Sequence, residues 1–156
     1  MHALARDTPI QTVEVHGLTV AYRCAGAGPP VLLLHGWPTS SYLWREVIPQ
    51  IAMRNRVVAL DLPGFGESDK PQDGYDFEFF DRVLDGFTEA LGLDRIGLAV
   101  HDLGGPIGLH WGLFRPERVS RLALLNTIVY PEFSAVVSDF VRGLLTPARR
   151  SEMTSP

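Results

Sequence analysis

The chain has 156 residues, 46% of them hydrophobic and 21% charged, with a formal net charge of −4. That balance excludes a disordered polypeptide and fits one globular domain with a core of its own. Charges of both signs are interspersed, so there is no basic stripe for nucleic acid and no polybasic segment for a membrane surface, and neither is an expected partner.

Met1 to Pro9 carry His2, Arg6 and Asp7 and lack the apolar run of a signal segment. Gln11 to Val15 and Leu18 to Cys24 alternate polar and apolar residues around His16-Gly17, which predicts an antiparallel hairpin. Cys24 is the only cysteine, which excludes a disulfide framework and a cysteine metal site and reads as a small buried thiol in a strand. A reducing, cytoplasmic location is the expectation, since no later stretch approaches the roughly 18 apolar residues of a membrane span. Val31 to Leu34 is a short continuous apolar run between Gly28-Pro29-Pro30 and Gly36, the pattern of a strand buried on both faces. A helix capped by Ser40 or Ser41 follows, with Trp44, Val47, Ile48 and Ile51 on one face and Asn55 at its end.

Arg56 to Leu60 is a third buried strand, and Asp61 to Asp69 is a loop at its carboxyl end. Asp76 caps the next helix, whose stripe is Phe77, Phe80, Val83 or Leu84, Phe87 and Leu91, with Gly92 at its close. Phe79 falls at the margin of that stripe. Strand Ile96 to Val100, helix Pro106 to Phe114 and strand Val119 to Leu125 complete an alternating series, which means a mostly parallel sheet with helices on both faces. From Pro131 onward Phe133, Val136, Val137, Phe140, Val141 and Leu144 predict one more amphipathic helix. The expected division is a core over residues 1–130 and a further region over 131–156.

In an open α/β sheet, ligands bind outside the carboxyl ends of the strands. Three loops meet there: His35-Gly36-Trp37-Pro38, the Asp61 to Asp69 loop, and the turn at Asp102. Residues Ile96 to Gly108 run a strand into a glycine-flanked turn and then a helix, the form of a nucleophile elbow with aspartate in it. Asp is also a favoured helix cap, so capping is the rival reading of Asp102. Gly104 and Gly105 weigh against it, because a cap needs neither while a tight elbow needs small residues. A carboxylate nucleophile suits carbon bearing a leaving group or a strained ring, where attack leaves an ester that water cleaves. Leu103 and Trp37 are expected to lend backbone N–H groups and line the pocket, and His35 to orient the loop around Trp37. His101 neighbours Asp102 on a strand and therefore points to the other side, into packing. His110 falls on a packed or solvent face of the last helix and His16 in the hairpin turn. Gly64-Phe65-Gly66 lacks a third glycine at Asp69 and a following helix, so a dinucleotide site is not expected. No cofactor or metal is called for, and no serine occupies an elbow, which disfavours a serine esterase.

Three stretches carry a family resemblance: His35-Gly36-Trp37-Pro38-Thr39-Ser40-Ser41-Tyr42-Leu43-Trp44-Arg45, Asp61-Leu62-Pro63-Gly64-Phe65-Gly66-Glu67-Ser68-Asp69-Lys70-Pro71, and His101-Asp102-Leu103-Gly104-Gly105. On these the sequence resembles the N-terminal half of α/β-hydrolases of the haloalkane dehalogenase and epoxide hydrolase group. The resemblance implies an α/β-hydrolase fold, truncated before the last strands and most of the cap, with residues 131–156 at the start of the cap. It implies Asp102 as nucleophile, Trp37 and Leu103 around the leaving group, and His35, Gly36, His101, Gly104 and Gly105 in support. The substrate class implied is a small alkyl halide or epoxide. Haloalkane dehalogenases usually place a tryptophan after the nucleophile and often an asparagine after His-Gly; here those positions are Leu103 and Trp37, which leaves the leaving group open. The family's late histidine base and its acid are not among the residues present, and where some dehalogenases place an acid this chain has Asn126. The expectation is therefore the alkylating step without full turnover. The rival is an inactive truncated product or non-catalytic partner protein, self-associating through strand Val119 to Leu125 as an uncovered sheet edge.

Overall fold

In the computed structural model, residues 8–128 are described. The helix expected over Phe133 to Leu144 and the division between 130 and 131 lie outside the described residues. Strand β1 (Ile10–Val15) turns at His16 and Gly17, both at positive φ, and pairs antiparallel with β2 (Leu18–Ala25), Val15 opposite Leu18. Two consecutive left-handed residues give the turn whose twist matches that of the flanking strands.

The sheet continues through β3 (Pro30–Leu34), β4 (Arg56–Leu60), β5 (Ile96–Asp102) and β6 (Val119–Thr127), in the spatial order β1-β2-β4-β3-β5-β6. β2 meets β4 antiparallel, while β4, β3, β5 and β6 are mutually parallel. The continuous apolar runs of β3 and β4 follow from burial on both faces. Leu32, Leu34, Val58 and Leu60 point to one side, against Phe80, Val83, Leu84, Phe87, Ile107 and Trp111. Leu33, Val57 and Ala59 point to the other, against Trp44, Ile48 and Ala52.

Between β3 and β4 the single expected helix is broken in two, a 3₁₀ turn over Ser41–Trp44 and the short α1 (Ile48–Ile51). Pro49 is the reason. It has no N–H to donate, and in one continuous helix its ring would clash with the carbonyl of Arg45. Ser40 is the cap, its hydroxyl accepting from the Tyr42 N–H, and Trp44 and Ile48 are buried while Val47 is exposed.

Helix α2 (Phe77–Ala90) starts where Asp76 Oδ1 accepts from the Phe79 N–H at 2.7 Å, and Gly92 at positive φ follows its end. Val83 and Leu84 are both buried. Phe77, expected on the buried stripe, is 46% exposed and stacks on the ring of His110 at 4.7 Å. As the first residue of the helix it meets the neighbouring helix and not the sheet. Phe79 is half-buried, edge-on to Tyr75 and Phe80.

Helix α3 (Gly104–Leu113) begins two residues before Pro106, and β5 runs two residues beyond Val100, so only Leu103 separates strand from helix. Arg115, just past α3, bridges Asp81 and Asp85 of α2, and Trp111 Nε1 donates to Asp85 at 2.8 Å. No helix among the described residues is long and apolar enough to cross a membrane.

Candidate active site

β3 and β5 are adjacent, with Leu34 opposite Val100. The loop that leaves β3 at His35 therefore lies against the turn that leaves β5 at Asp102. Turning from strand to helix across one residue forces Asp102 to φ +50, a region that costs a non-glycine residue about 1–3 kcal/mol. The surroundings are cut to fit it. A Cβ on Gly36 would collide with the Asp102 carboxyl group, and one on Gly105 would overlap the side chain of Thr127. A Cβ on Gly104 would lie 2.5 Å from the His35 carbonyl oxygen.

Asp102 does not cap α3. The residue before the helix is Leu103, with no side-chain cap bond, and Asp102 Oδ1 instead accepts from the backbone N–H of Trp37 at 2.7 Å. The Thr127 hydroxyl donates to the Asp102 carbonyl at 2.6 Å, so the elbow is tied to β6 as well. Oδ2 forms no hydrogen bond among the described residues. Of the two backbone N–H groups expected to face the pocket, that of Trp37 bonds the carboxylate, and that of Leu103 forms no bond to it among the described residues. The Leu103 side chain lines an apolar hollow with Tyr75, Phe80, Pro106 and Ile107. The Trp37 side chain is 48% exposed, and its peptide to Pro38 is cis.

His35 is fully buried. Its Nε2 accepts from the Leu62 N–H at 3.0 Å, so Nδ1 carries the proton and donates to the Gly36 carbonyl at 2.9 Å. The ring thereby joins the Trp37 loop to the Asp61 loop. Burial pushes its pKa below the ordinary imidazole value of 6.5, against the Gly36 hydrogen bond and the charges of Asp61 and Asp102, which pull it up. His35 is neutral at pH 7.

His101 lies on the opposite face of the sheet, edge-on to Trp44 at 6.4 Å, with a buried Nδ1 that has no hydrogen-bond partner among the described residues. His110 is held between Phe77 and Phe114, with Nδ1 3.2 Å from Asp81 Oδ1. His16 sits in the hairpin turn, and His2 lies outside the described residues. No histidine among the described residues hydrogen-bonds to the Asp102 carboxylate. Nor do three His, Cys, Asp or Glu side chains among them form a metal-binding group.

Asp61 is the residue that sequence reasoning left unassigned. Buried at the end of β4, it accepts from the Ser41 N–H at 2.6 Å and the Glu67 N–H at 2.9 Å, while its carbonyl takes the Ser68 hydroxyl at 2.6 Å. Ser68 Oγ in turn accepts from the Ala21 N–H. The signal in the sequence is an acid at a strand end followed by a glycine-rich turn and a serine. Thr39 and Thr127 are likewise unassigned by motif spacing.

The alpha/beta hydrolase fold family matches residues 29–148 of the chain. Over 124 residues the chain is 41% identical to a haloalkane dehalogenase of Sphingobium indicum, covering 76% of this chain and 42% of that protein. It is 39% identical over 114 residues to a soluble epoxide hydrolase of Corynebacterium sp. strain C12, covering 73% and 40%. The crystal structure of the haloalkane dehalogenase DbeA from Bradyrhizobium elkani superposes with a TM-score of 0.83 at 33% identity, over 94% of this chain and 53% of that one. The chain thus spans less than half the length of these two curated relatives.

Proposed function

Because the chain belongs to the alpha/beta hydrolase fold family, we propose that Asp102 is a nucleophile directed at carbon, opening a small alkyl halide or epoxide. One observation carries the reading: a strained elbow carboxylate with one oxygen held by the Trp37 N–H and the other unbonded among the described residues. Oδ2 attacks carbon and forms the C–O bond of an ester. With a halide, the C–X bond breaks and its electron pair leaves on the halide. With an epoxide, the ring C–O bond breaks and the alkoxide takes a proton from water.

Oδ1 then becomes the ester carbonyl oxygen. It stays against the Trp37 N–H, which is where charge gathers when water adds to the ester carbon. Leu103 contributes its backbone N–H at the amino end of α3 as a second source of positive charge. Gly36, Gly104 and Gly105 give the room the elbow needs, His35 holds the Trp37 loop, and His101 packs behind the strand. Water addition needs a base to take its proton, help generally worth about 10² to 10⁴ in rate. No described histidine hydrogen-bonds to the Asp102 carboxylate, so these residues support the alkylating step.

The substrate class rests on the relatives named as haloalkane dehalogenases and epoxide hydrolases. A cytoplasmic location is part of the proposal and rests on the lone Cys24. A second reading, self-association, is favoured by one observation: β6 is an edge of the sheet formed by the described residues, and Leu122, Leu124 and Leu125 are exposed along it.

The test is intact-mass spectrometry after exposure to small epoxides and haloalkanes. The reading predicts a single covalent adduct in the parent chain that is lost in Asp102→Asn. An adduct that persists in that variant, or none in the parent, overturns it.

A further inference from the structure

One peptide unit supplies the hydrogen bond that the Asp102 carboxylate receives from the described residues. The N–H that reaches Asp102 Oδ1 belongs to Trp37, and the carbonyl of that same peptide is Gly36 O. That carbonyl accepts three hydrogen bonds. His35 Nδ1 donates at 2.9 Å, the Thr39 hydroxyl at 2.8 Å and the Thr39 N–H at 3.0 Å. A carbonyl oxygen has two lone pairs, and most accept one or two bonds, so three donors on one buried carbonyl are a concentration of positive charge.

The geometry points to Thr39 and His35 as positioning residues that clamp and polarise the Gly36–Trp37 peptide, making its N–H a fixed and strengthened donor to the Asp102 carboxylate. The physics lies in amide resonance. Donors on the oxygen draw electron density toward it, raise the double-bond character of C–N and leave the N–H more positive. Hydrogen bonds in such a chain strengthen one another by about 10–30% per bond. The donors also fix orientation. A peptide plane gripped at its oxygen by three donors from His35 and Thr39 is held against rotating its N–H away from Asp102.

The clamp is backed in turn. Thr39 Oγ1 lies 3.5 Å from His35 Nδ1, so the two donors crowd the same acceptor. His35 is held from behind by the Leu62 N–H, and the Asp61 loop that carries Leu62 is pinned by Ser41, Glu67 and Ser68. The role of His35 requires the neutral ring, because only an unprotonated Nε2 accepts from Leu62 while Nδ1–H faces Gly36.

Any bearing of the clamp on chemistry rests on the reading of Asp102 as a nucleophile, but the clamp has a readout of its own. In an isotope-labelled chain, a scalar coupling across the hydrogen bond is expected between the Trp37 amide nitrogen and the Asp102 carboxyl carbon, along with a downfield Trp37 amide proton. Thr39→Val removes the hydroxyl donor and is expected to move that proton upfield and to speed its exchange with solvent. Thr39→Ser restores the donor and is expected to bring both back. A Trp37 proton that ignores Thr39→Val, or that Thr39→Ser displaces as far, overturns the clamp. So does a parent chain with no coupling to Asp102, a measurement that depends on no variant folding. If the coupling and the rescue hold while the parent forms no adduct, the clamp stands and the nucleophile reading fails.

Discussion

At the level of single residues, His35 makes stability depend on pH in a direction the structure sets. Its pKa in the fold is lowered by burial from 6.5. Below 6.5 the unfolded chain binds a proton that the folded chain resists, so this contribution to stability is fully present above 6.5 and is lost as pH falls toward the lowered folded value. Urea unfolding midpoints should therefore decline from neutral pH down to about 5, a range above most carboxylate titrations. His35→Asn should flatten that decline while lowering stability at neutral pH, since the Leu62 N–H loses its acceptor. A slope unchanged in the variant would remove His35 from the account. Asp102 shows a different kind of residue-level logic: its strained φ of +50 comes from the one-residue turn between β5 and α3, and its surroundings hold it there through Thr127 on one side and Trp37 on the other.

Among the elements, the junction of β5 and α3 tolerates least. Gly105→Ala puts a methyl into the Thr127 side chain, and overpacking of this kind costs about 1–3 kcal/mol. Denaturant melts of Gly105→Ala alone and with Thr127→Ala check this, the double variant recovering part of the loss because the clash is with that side chain. The α2–α3 contact depends on charge as well as on apolar packing. Asp81→Ala takes its carboxylate partner from His110 and one of two from Arg115, which keeps Asp85, and for part-exposed pairs of this kind the loss is about 1 kcal/mol by the same measurement. Much of this architecture is legible in the sequence. Val31–Leu34 and Arg56–Leu60 declare themselves because strands buried on both faces must be continuously apolar, and the elbow declares itself because its glycines have no other use. The helix after β3 misleads because the apolar spacing of Trp44, Ile48 and Ile51 is helical on either side of Pro49, and periodicity is blind to a missing N–H. Phe77 misleads for a related reason: a stripe gives the face of a helix but not how far along it the core extends. The clamp on Gly36 is invisible to spacing, since it depends on where one carbonyl points in space.

For the whole molecule, the sheet order leaves β1 and β6 at the edges of the described sheet, and they differ in kind. β6 carries leucines in a long exposed run, with Leu124 at 45% exposure. Long apolar edges template pairing with another chain, and a lysine on the edge discourages it. Sedimentation of the chain is expected to show concentration-dependent association that Leu124→Lys weakens; a monomer at all concentrations would contradict the self-association reading and leave the elbow chemistry untouched. That chemistry is the central claim, and it turns on which atom becomes bonded to substrate carbon. The direct measurement is peptide mapping of the chain after treatment with a small epoxide or haloalkane, with fragmentation to locate the added mass. The account predicts the mass on Asp102, as an ester. Modification confined to Cys24, to a histidine or to another carboxylate, with Asp102 unmodified, would contradict it.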